Sequence, residues 1–311
     1  VAWTTDDLLA AIKRKANLPS GANAKFSDAN LLDFAYQAMI VRVDPILTNL
    51  REEYGVARVD LPVTPSVATY VLPERAVSGT IRQVLCVPPG GTPYPLPRIA
   101  EAEAWKYEYA AGASLPSGFA IEDDTIRLLP TPTTAGVTLR VSYRRRPSRL
   151  VLVSSCAVIT SWDAGTFVVY ATGGTWAPGP ASNIIDVVRA RPPFGVLAES
   201  ISTAYSFASF QGAFGASFFD RVAVGDYVCH ENTTCVVPVP ERYQTLLLDY
   251  AAAEILSAWG DRDGAAIVWA AADRYVDALN AAQSNRVETS PQIVIQRANS
   301  LRGAFGFGWR R

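Results

Sequence analysis

The sequence predicts an α+β fold. N- and C-terminal helices form a helical bundle, a β-rich region and an inserted β module lie between them, and an extended C-terminal tail follows. Three observations carry this expectation. Apolar residues recur at helical spacing between Pro240 and Ser284, and again from Asp28 to Tyr54. From Val56 the apolar period changes to two, the signature of strands. Between 150 and 237 the chain is rich in Ser, Thr, Gly, Val and aromatics, with almost no helical period.

Taken in order, residues 5–17 (TDDLLAAIKRKAN) read as a short helix. Thr4 suits its N-cap, Asp6 and Asp7 its positive first turn, and Lys13, Arg14 and Lys15 its last. Ser27 caps a long helix from Asp28 to Tyr54, which Pro45 should kink or split and Gly55 should end. The runs VARVDL, VATYVL and TIRQVLCV are strands, and 88–97 is a proline-rich connection. A short helix is expected over Ile99–Ala111, then strands at Phe119–Ile121, Thr125–Leu129 and Val137–Tyr143. In the module, TFVVYAT, NIIDVVRA, FGVLAES and GDYVCHE are the strand candidates. The stretch AYSFASFQGAFGASFF fits either a helix or an irregular loop.

Pro240 and Glu241 suit the start of the next helix, because proline's missing N–H has no helical partner there. Its apolar face is read as Tyr243, Leu246, Leu247, Tyr250, Ala253, Leu256 and Trp259. A break follows at Gly260–Gly264, and the pattern resumes at Ile267, Ala271, Tyr275 and Leu279. The expected division is 1–55 with 240–284 as a helical core, 56–150 as a β region with a short helix, 151–239 as the inserted module and 285–311 as the tail. Fully extended, that tail reaches roughly 85 Å.

Hydrophobic residues make up 49% of the 311 residues and charged residues 18%, a balance that favours folding and leaves apolar surface for contacts between subunits. A net charge of −1 does not suggest a protein held to nucleic acid by phosphate contacts. A polyanion passes such a surface without sticking. His230 is the one histidine, so a Ser-His-Asp or Cys-His pair must use it and a multi-histidine metal site is excluded. Four cysteines do not make a dense disulfide framework, and reduced thiols are the expectation. No apolar run is long enough for a membrane-spanning helix. Asp6 and Asp7 argue against a signal peptide, and the start at Val1 reads as processed or counted from residue two.

The chemical motifs reduce mostly to ordinary structure. Cys229-His230-Glu231 with Cys235 has metal-ligand residue types but no second pair, so it reads as a strand ending in a turn. Glu122-Asp123-Asp124 reads as a hairpin turn rather than an acid–base pair. Gly90-Gly91 and Gly173-Gly174 lack the context of a phosphate-binding loop. No catalytic, cofactor or metal residues are assigned. Arg144, Arg145 and Arg146 form a basic run that needs acid nearby; it fits an interface or DNA contact. The tail is basic too, and Phe305, Phe307 and Trp309 alternate with glycines, which fits docking into a partner.

The segment Ser114–Leu150 resembles a pattern of tailed bacteriophages. It has a proline before a short strand (Pro116, Phe119), an acidic hairpin turn, a strand ending at Leu129, Pro130 and Pro132, and a strand ending at Tyr143 with Pro147 soon after. The run from Gly225 to Asp263, where Pro240-Glu241 opens a long helix that closes near Gly260-Asp261, is similar to the same family, and so is FSDANLLDFAYQAM. In that order the motifs resemble a head-to-tail adaptor (connector) protein of a double-stranded DNA phage. The resemblance implies a non-enzymatic homo-oligomeric ring, usually of twelve copies, at the head–tail junction of the virion and assembled in the host cytoplasm. It would bind the portal protein above and tail tube, nozzle or fibre proteins below, pass DNA without sequence-specific contacts, and need neither cofactor nor membrane. A C-terminal extension commonly grips the portal in that family, which assigns portal docking here to Ile293, Val294, Ile295, Arg297, Phe305, Phe307, Trp309 and Arg310. Two other readings stand beside it. One is a tail-tube or nozzle structural protein. The other is a cell-wall hydrolase acting through carboxylates. Separately, Trp162 and Trp176 could stack on sugars in a carbohydrate-binding role of 151–237, but buried core tryptophans are the preferred reading.

Overall fold

The computed structural model describes residues 3–18, 25–50, 54–108, 114–166, 168–174, 176, 179–191, 195–206, 209–212, 214 and 216–287. Helix α1 (Thr5–Lys15) opens with a full capping box: the Asp7 N–H donates to Thr4 Oγ1 and the Thr4 N–H donates to the Asp7 carboxylate. Ser27 caps α2 (Asp28–Ala38) by accepting from the Asn30 N–H at 3.2 Å. The long helix neither kinks apart nor stays regular. A π turn, Met39–Val43, joins α2 to α3 (Asp44–Leu50), and the Asp44 N–H reaches back to the Met39 carbonyl. Pro45 has no N–H for the preceding turn and its ring crowds the carbonyl four residues back, so a widened turn there relieves both.

Strands β1 (Val56–Pro62), β2 (Thr69–Val71), β3 (Ala76–Val87) and β4 (Tyr94–Leu96) follow, then α4 (Glu101–Glu108), β5 (Gly118–Glu122), β6 (Thr125–Leu129) and β7 (Thr138–Arg145). The proline-rich connection therefore holds a short strand that its composition hid. Two sheets result, in the orders β1-β7-β3-β4 and β2-β6-β5. Val84, Cys86, Leu139 and Val141 of the first share an apolar cluster with Phe119, Ile126 and Leu128 of the second.

Short β8 (Arg149–Leu150) and a single 3-10 turn lead into β9 (Ala157–Asp163), β10 (Val168–Thr172), β11 (Gly179–Val188), β12 (Val196–Ser206), β13 (Ser209–Gly212), α5 (Ala216–Phe219) and β14 (Tyr227–His230). The six strands close into an antiparallel barrel in the order β10-β13-β12-β11-β14-β9. Closure removes the unpaired edges an open sheet would expose. Ile159, Val169, Ile185, Val187, Phe210 and Val228 fill it. The phenylalanine-rich stretch is neither one helix nor a loop. It supplies the end of β12, all of β13 and the one-turn α5, and it seals the barrel with Phe210, Phe214, Phe218 and Phe219.

After β15 (Thr233–Thr234), which pairs in parallel with β8, come α6 (Glu241–Trp259) and α7 (Arg262–Val287). The break is tighter than Gly260–Gly264. Gly260 takes the left-handed conformation at φ 106° and ends α6, while the Asp261 carboxylate accepts from the Gly264 N–H and starts α7. Helix α6 is buried nearly all round, with Leu246, Leu247, Ala251, Ala252 and Ile255 inaccessible. It shares one apolar cluster with Leu8 and Ile12 of α1, Leu31, Leu32 and Ala35 of α2, and Ala272 of α7.

The face read for α7 is corrected. Leu279 packs on the cluster as read, but Ile267 is 72% exposed, Tyr275 38% and Ala271 is exposed too, whereas Ala265 and Ala272 are buried and Trp269 and Val276 pack on the cluster. Both stripes have helical spacing. Alanines on all sides of α7 leave periodicity unable to choose between them. Leu247→Ala should lower the unfolding free energy by about 2–5 kcal/mol through the cavity it leaves. Ile267→Ala in the isolated chain should change it by less than about 0.5 kcal/mol. Urea denaturation of the two variants checks the assignment.

Candidate functional site

The site begins with a strand buried on both faces. Alternation along β11 turns Ile185 and Val187 into the barrel, which leaves Asp186 and Val188 facing outward. Both outward residues are nevertheless buried, Asp186 completely, because the rest of the molecule packs on this side of the barrel. Arg75, only 5% exposed, comes from the turn before β3 and places Nη1 3.0 Å from Asp186 Oδ2 and 3.3 Å from Glu199 Oε1 on β12. Its other amino group donates to the Arg146 carbonyl at 3.3 Å and to the Ser148 hydroxyl. The Asp186 carboxylate also accepts the Ser200 N–H at 2.8 Å and the Asn232 N–H at 3.0 Å.

The basic run joins this network. Arg145 pairs with Glu199, and the Tyr143 hydroxyl donates to the same carboxylate at 3.4 Å. Burial, then the Glu199 charge, pushes the Tyr143 phenol up to about 12, so it remains a donor. Arg144 Nη2 lies 3.9 Å from an Asp44 carboxylate oxygen and 3.5 Å from the Asp44 carbonyl. Burial holds the Asp44 carboxyl above the usual range, with Arg144 opposing that rise. Arg146 is exposed, and its backbone is tied to Arg75 in both directions. The acid that the run requires thus comes from the chain itself. A cleft of about 430 Å³ opens where helices, sheet and barrel meet, lined among others by Tyr54, Arg75, Arg145, Ser148, Thr234 and Tyr243.

A second cluster lies beside the first. Cys229 is on the outward face of β14, Cys156 directly precedes β9, and Cys235 directly follows β15. All three are buried, their sulfurs lie within 4.8 Å of one another, and Cys229 Sγ is 4.0 Å from Cys235 Sγ. Sharing of hydrogen bonds from Cys229 and Cys235 draws the Cys156 thiol down to about 5, and the same sharing pushes Cys229 and Cys235 up. His230 points the other way, stacked on Trp176 with ring centroids 4.1 Å apart. The local Cys-His-Glu motif therefore does not converge, while Cys156 joins from far along the chain. No spacing in the sequence signals that meeting.

The remaining motifs resolve simply. Glu122–Asp124 forms the β5–β6 turn, with Asp123 at φ 52° and Glu122 paired to Arg127 at 2.9 Å. Gly90, Gly173 and Gly174 adopt positive φ. Trp162 and Trp176 are half-buried and pack on the barrel core. Ile293, Val294, Ile295, Arg297, Phe305, Phe307, Trp309 and Arg310 lie outside the described residues. The most exposed large apolar side chains include Ile267 of α7, Val41 of the π turn and Trp105 of α4. Among the described residues, no helix is long and apolar enough to cross a membrane.

Burial raises the Asp186 carboxyl to about 6, against the pull of the Ser200 amide and Arg75. Its folded value thus exceeds the ordinary 3.8, and the folded chain keeps this proton where the unfolded chain loses it. The resulting stability is complete below the unfolded value and is lost as pH rises through the folded one. Asp186→Asn abolishes this titration. The unfolding free energy of the wild type relative to the variant should fall by on the order of 3 kcal/mol between about pH 4 and about pH 6, then stay level. Urea titrations across that range measure it, and a gap constant with pH contradicts the assignment.

Comparison with known proteins bears on the N-terminal part of the chain. The family model described as SU10 adaptor protein matches residues 3–176, from α1 through both sheets and into the barrel. The run from Gly225 to Asp263, attributed above to the same kind of protein, lies beyond the matched residues. No curated protein matches the chain.

Proposed function

The chain belongs to the SU10 adaptor protein family, structural proteins of phages, and from that premise we propose that it is the head-to-tail adaptor at the virion's head–tail junction. Copies form a ring, docked under the portal on one side and joined to tail components on the other, with genomic DNA passing through the centre. Helices of 5–54 and 240–284 form the bundle that packs within and between subunits, and the barrel faces outward or toward the tail. The tail beyond 285 grips the portal. The family match over residues 3–176 is the observation that carries this reading.

Surface chemistry supports it. The exposed side of α7 presents Ile267 and Tyr275 with Ala270, Ala271 and Ala278 between and beyond them and exposed Arg274 in their midst, apolar positions that a neighbouring copy can cover if it also meets that arginine. Arg144 and Arg145 are occupied by Asp44 and Glu199, and the net charge is −1, so DNA meets no strongly basic run from these residues. The role is structural rather than catalytic.

Analytical ultracentrifugation and negative-stain imaging of the purified chain, with and without portal, should give a ring, alone or on the portal. A compact monomer indifferent to portal overturns the proposal. Ile267→Glu should weaken ring formation at least tenfold while leaving the circular dichroism spectrum unchanged; undiminished assembly would move the subunit contact to another face. Deleting 286–311 should reduce portal capture and keep the cooperative melting transition. Loss of that transition would make the tail part of the core instead.

A further inference from the structure

The barrel is joined to the rest of the molecule by two short segments, one entering before β9 and one leaving after β14. Cys156 sits on the entry, Cys229 on the last barrel strand and Cys235 on the exit. The whole sequence holds four cysteines, so three of the four meet at this one place; Cys86 lies apart, in the cluster between the two sheets. Packing alone would be served by valine, which lines the same pocket: Val188 and Val236 are buried there, with Val151, Val153 and Val196 against them.

The geometry suits a shared ion. Three thiolate sulfurs at about 2.3 Å from one central ion in a plane lie about 4.0 Å from each other. Cys229 Sγ and Cys235 Sγ stand at 4.0 Å, and the third sulfur is within 4.8 Å of both. A disulfide would require two of them to close to about 2.05 Å. Among the described residues, these three cysteines are the group whose ligand atoms converge in this way. No carboxylate or imidazole among the described residues joins these three sulfurs in the converging group, and His230 is turned into the barrel against Trp176. Sulfur-only coordination excludes oxygen-seeking cations such as magnesium and calcium and favours soft ones.

We propose that Cys156, Cys229 and Cys235 form a three-sulfur site for one soft cation of the zinc and cadmium class, clamping the entry and exit of the barrel together. Metal–sulfur bonds form as thiol protons leave to solvent: loss of two protons gives a neutral site in which the third sulfur binds as a thiol, and loss of all three leaves one net negative charge in the apolar pocket. The clamp also reaches α1, because the Cys235 carbonyl accepts the Thr5 N–H at 2.9 Å.

Cadmium titration of the reduced, metal-free full-length chain tests this, followed by the ultraviolet thiolate-to-cadmium charge-transfer band and by native mass spectrometry. The expected result is one cadmium per chain, retained against excess magnesium or calcium, with a higher melting temperature. Cys156→Ser and Cys229→Ser should each lose the band, and Cys86→Ser should keep it. Absence of saturable cadmium binding by the reduced wild type overturns the proposal, a result that needs no variant to fold. So does a band that survives Cys156→Ser. A Cys229–Cys235 disulfide in chain whose thiols were alkylated at lysis would equally overturn it.

Discussion

A guanidinium withdrawn from water must be met on all sides, and Arg75 is such a group. It is held by Asp186 and Glu199 from the barrel and by Ser148 and the Arg146 carbonyl from the sheet's end. Such a network adds little net stability, because desolvation offsets most of the attraction. It adds specificity: any other placement of the barrel leaves a buried charge without its partner. Much of the molecule's arrangement is consistent with that constraint. Residue Asp186 must face out of the barrel, β11 must be covered on its outer side, and Arg145 is drawn onto the Glu199 that Arg75 already shares. Four arginines within six positions are tolerable because Asp44, Glu199 and Asp33 are distributed around Arg144, Arg145 and Arg149.

What could be read in the sequence was local. Thr4, Ser27 and Gly260 act on backbone groups within a turn of themselves, and each does what its residue type implies. The run Ile184-Ile185-Asp186-Val187-Val188 is apolar on both alternations, the pattern of a strand covered on two sides, with an aspartate in the covered set. That combination signals a buried charge, but its partner lies 111 residues away, and nothing local identifies Arg75. The thiol cluster was hidden for the same reason, since Cys156 reaches Cys229 only through closure of the barrel. Helix α7 failed differently: with alanine on every side, the hydrophobic period no longer points to the core.

The phenylalanine-rich segment illustrates how tertiary context overrides spacing. Its aromatics at intervals of three and four fit a helix, yet Phe210 pairs within β13 while Phe214, Phe218 and Phe219 turn back to plug the barrel. Closing the sheet satisfies more backbone groups than a short amphipathic helix would, and the aromatic bulk fills the barrel in either case. The family match ends inside this barrel, so the part of the chain that departs most from simple periodicity is also the part that begins where the match stops.

The central claim is that a phage adaptor here satisfies its own basic run and offers apolar helix surface to its neighbours. Electron cryomicroscopy of the assembled head–tail junction tests this most directly. The predicted result is a ring of copies with Ile267 of α7 covered by the adjacent subunit, and with Arg144 and Arg145 still on Asp44 and Glu199. Arginines turned to the channel DNA, or Ile267 left facing solvent in the assembled ring, would contradict it.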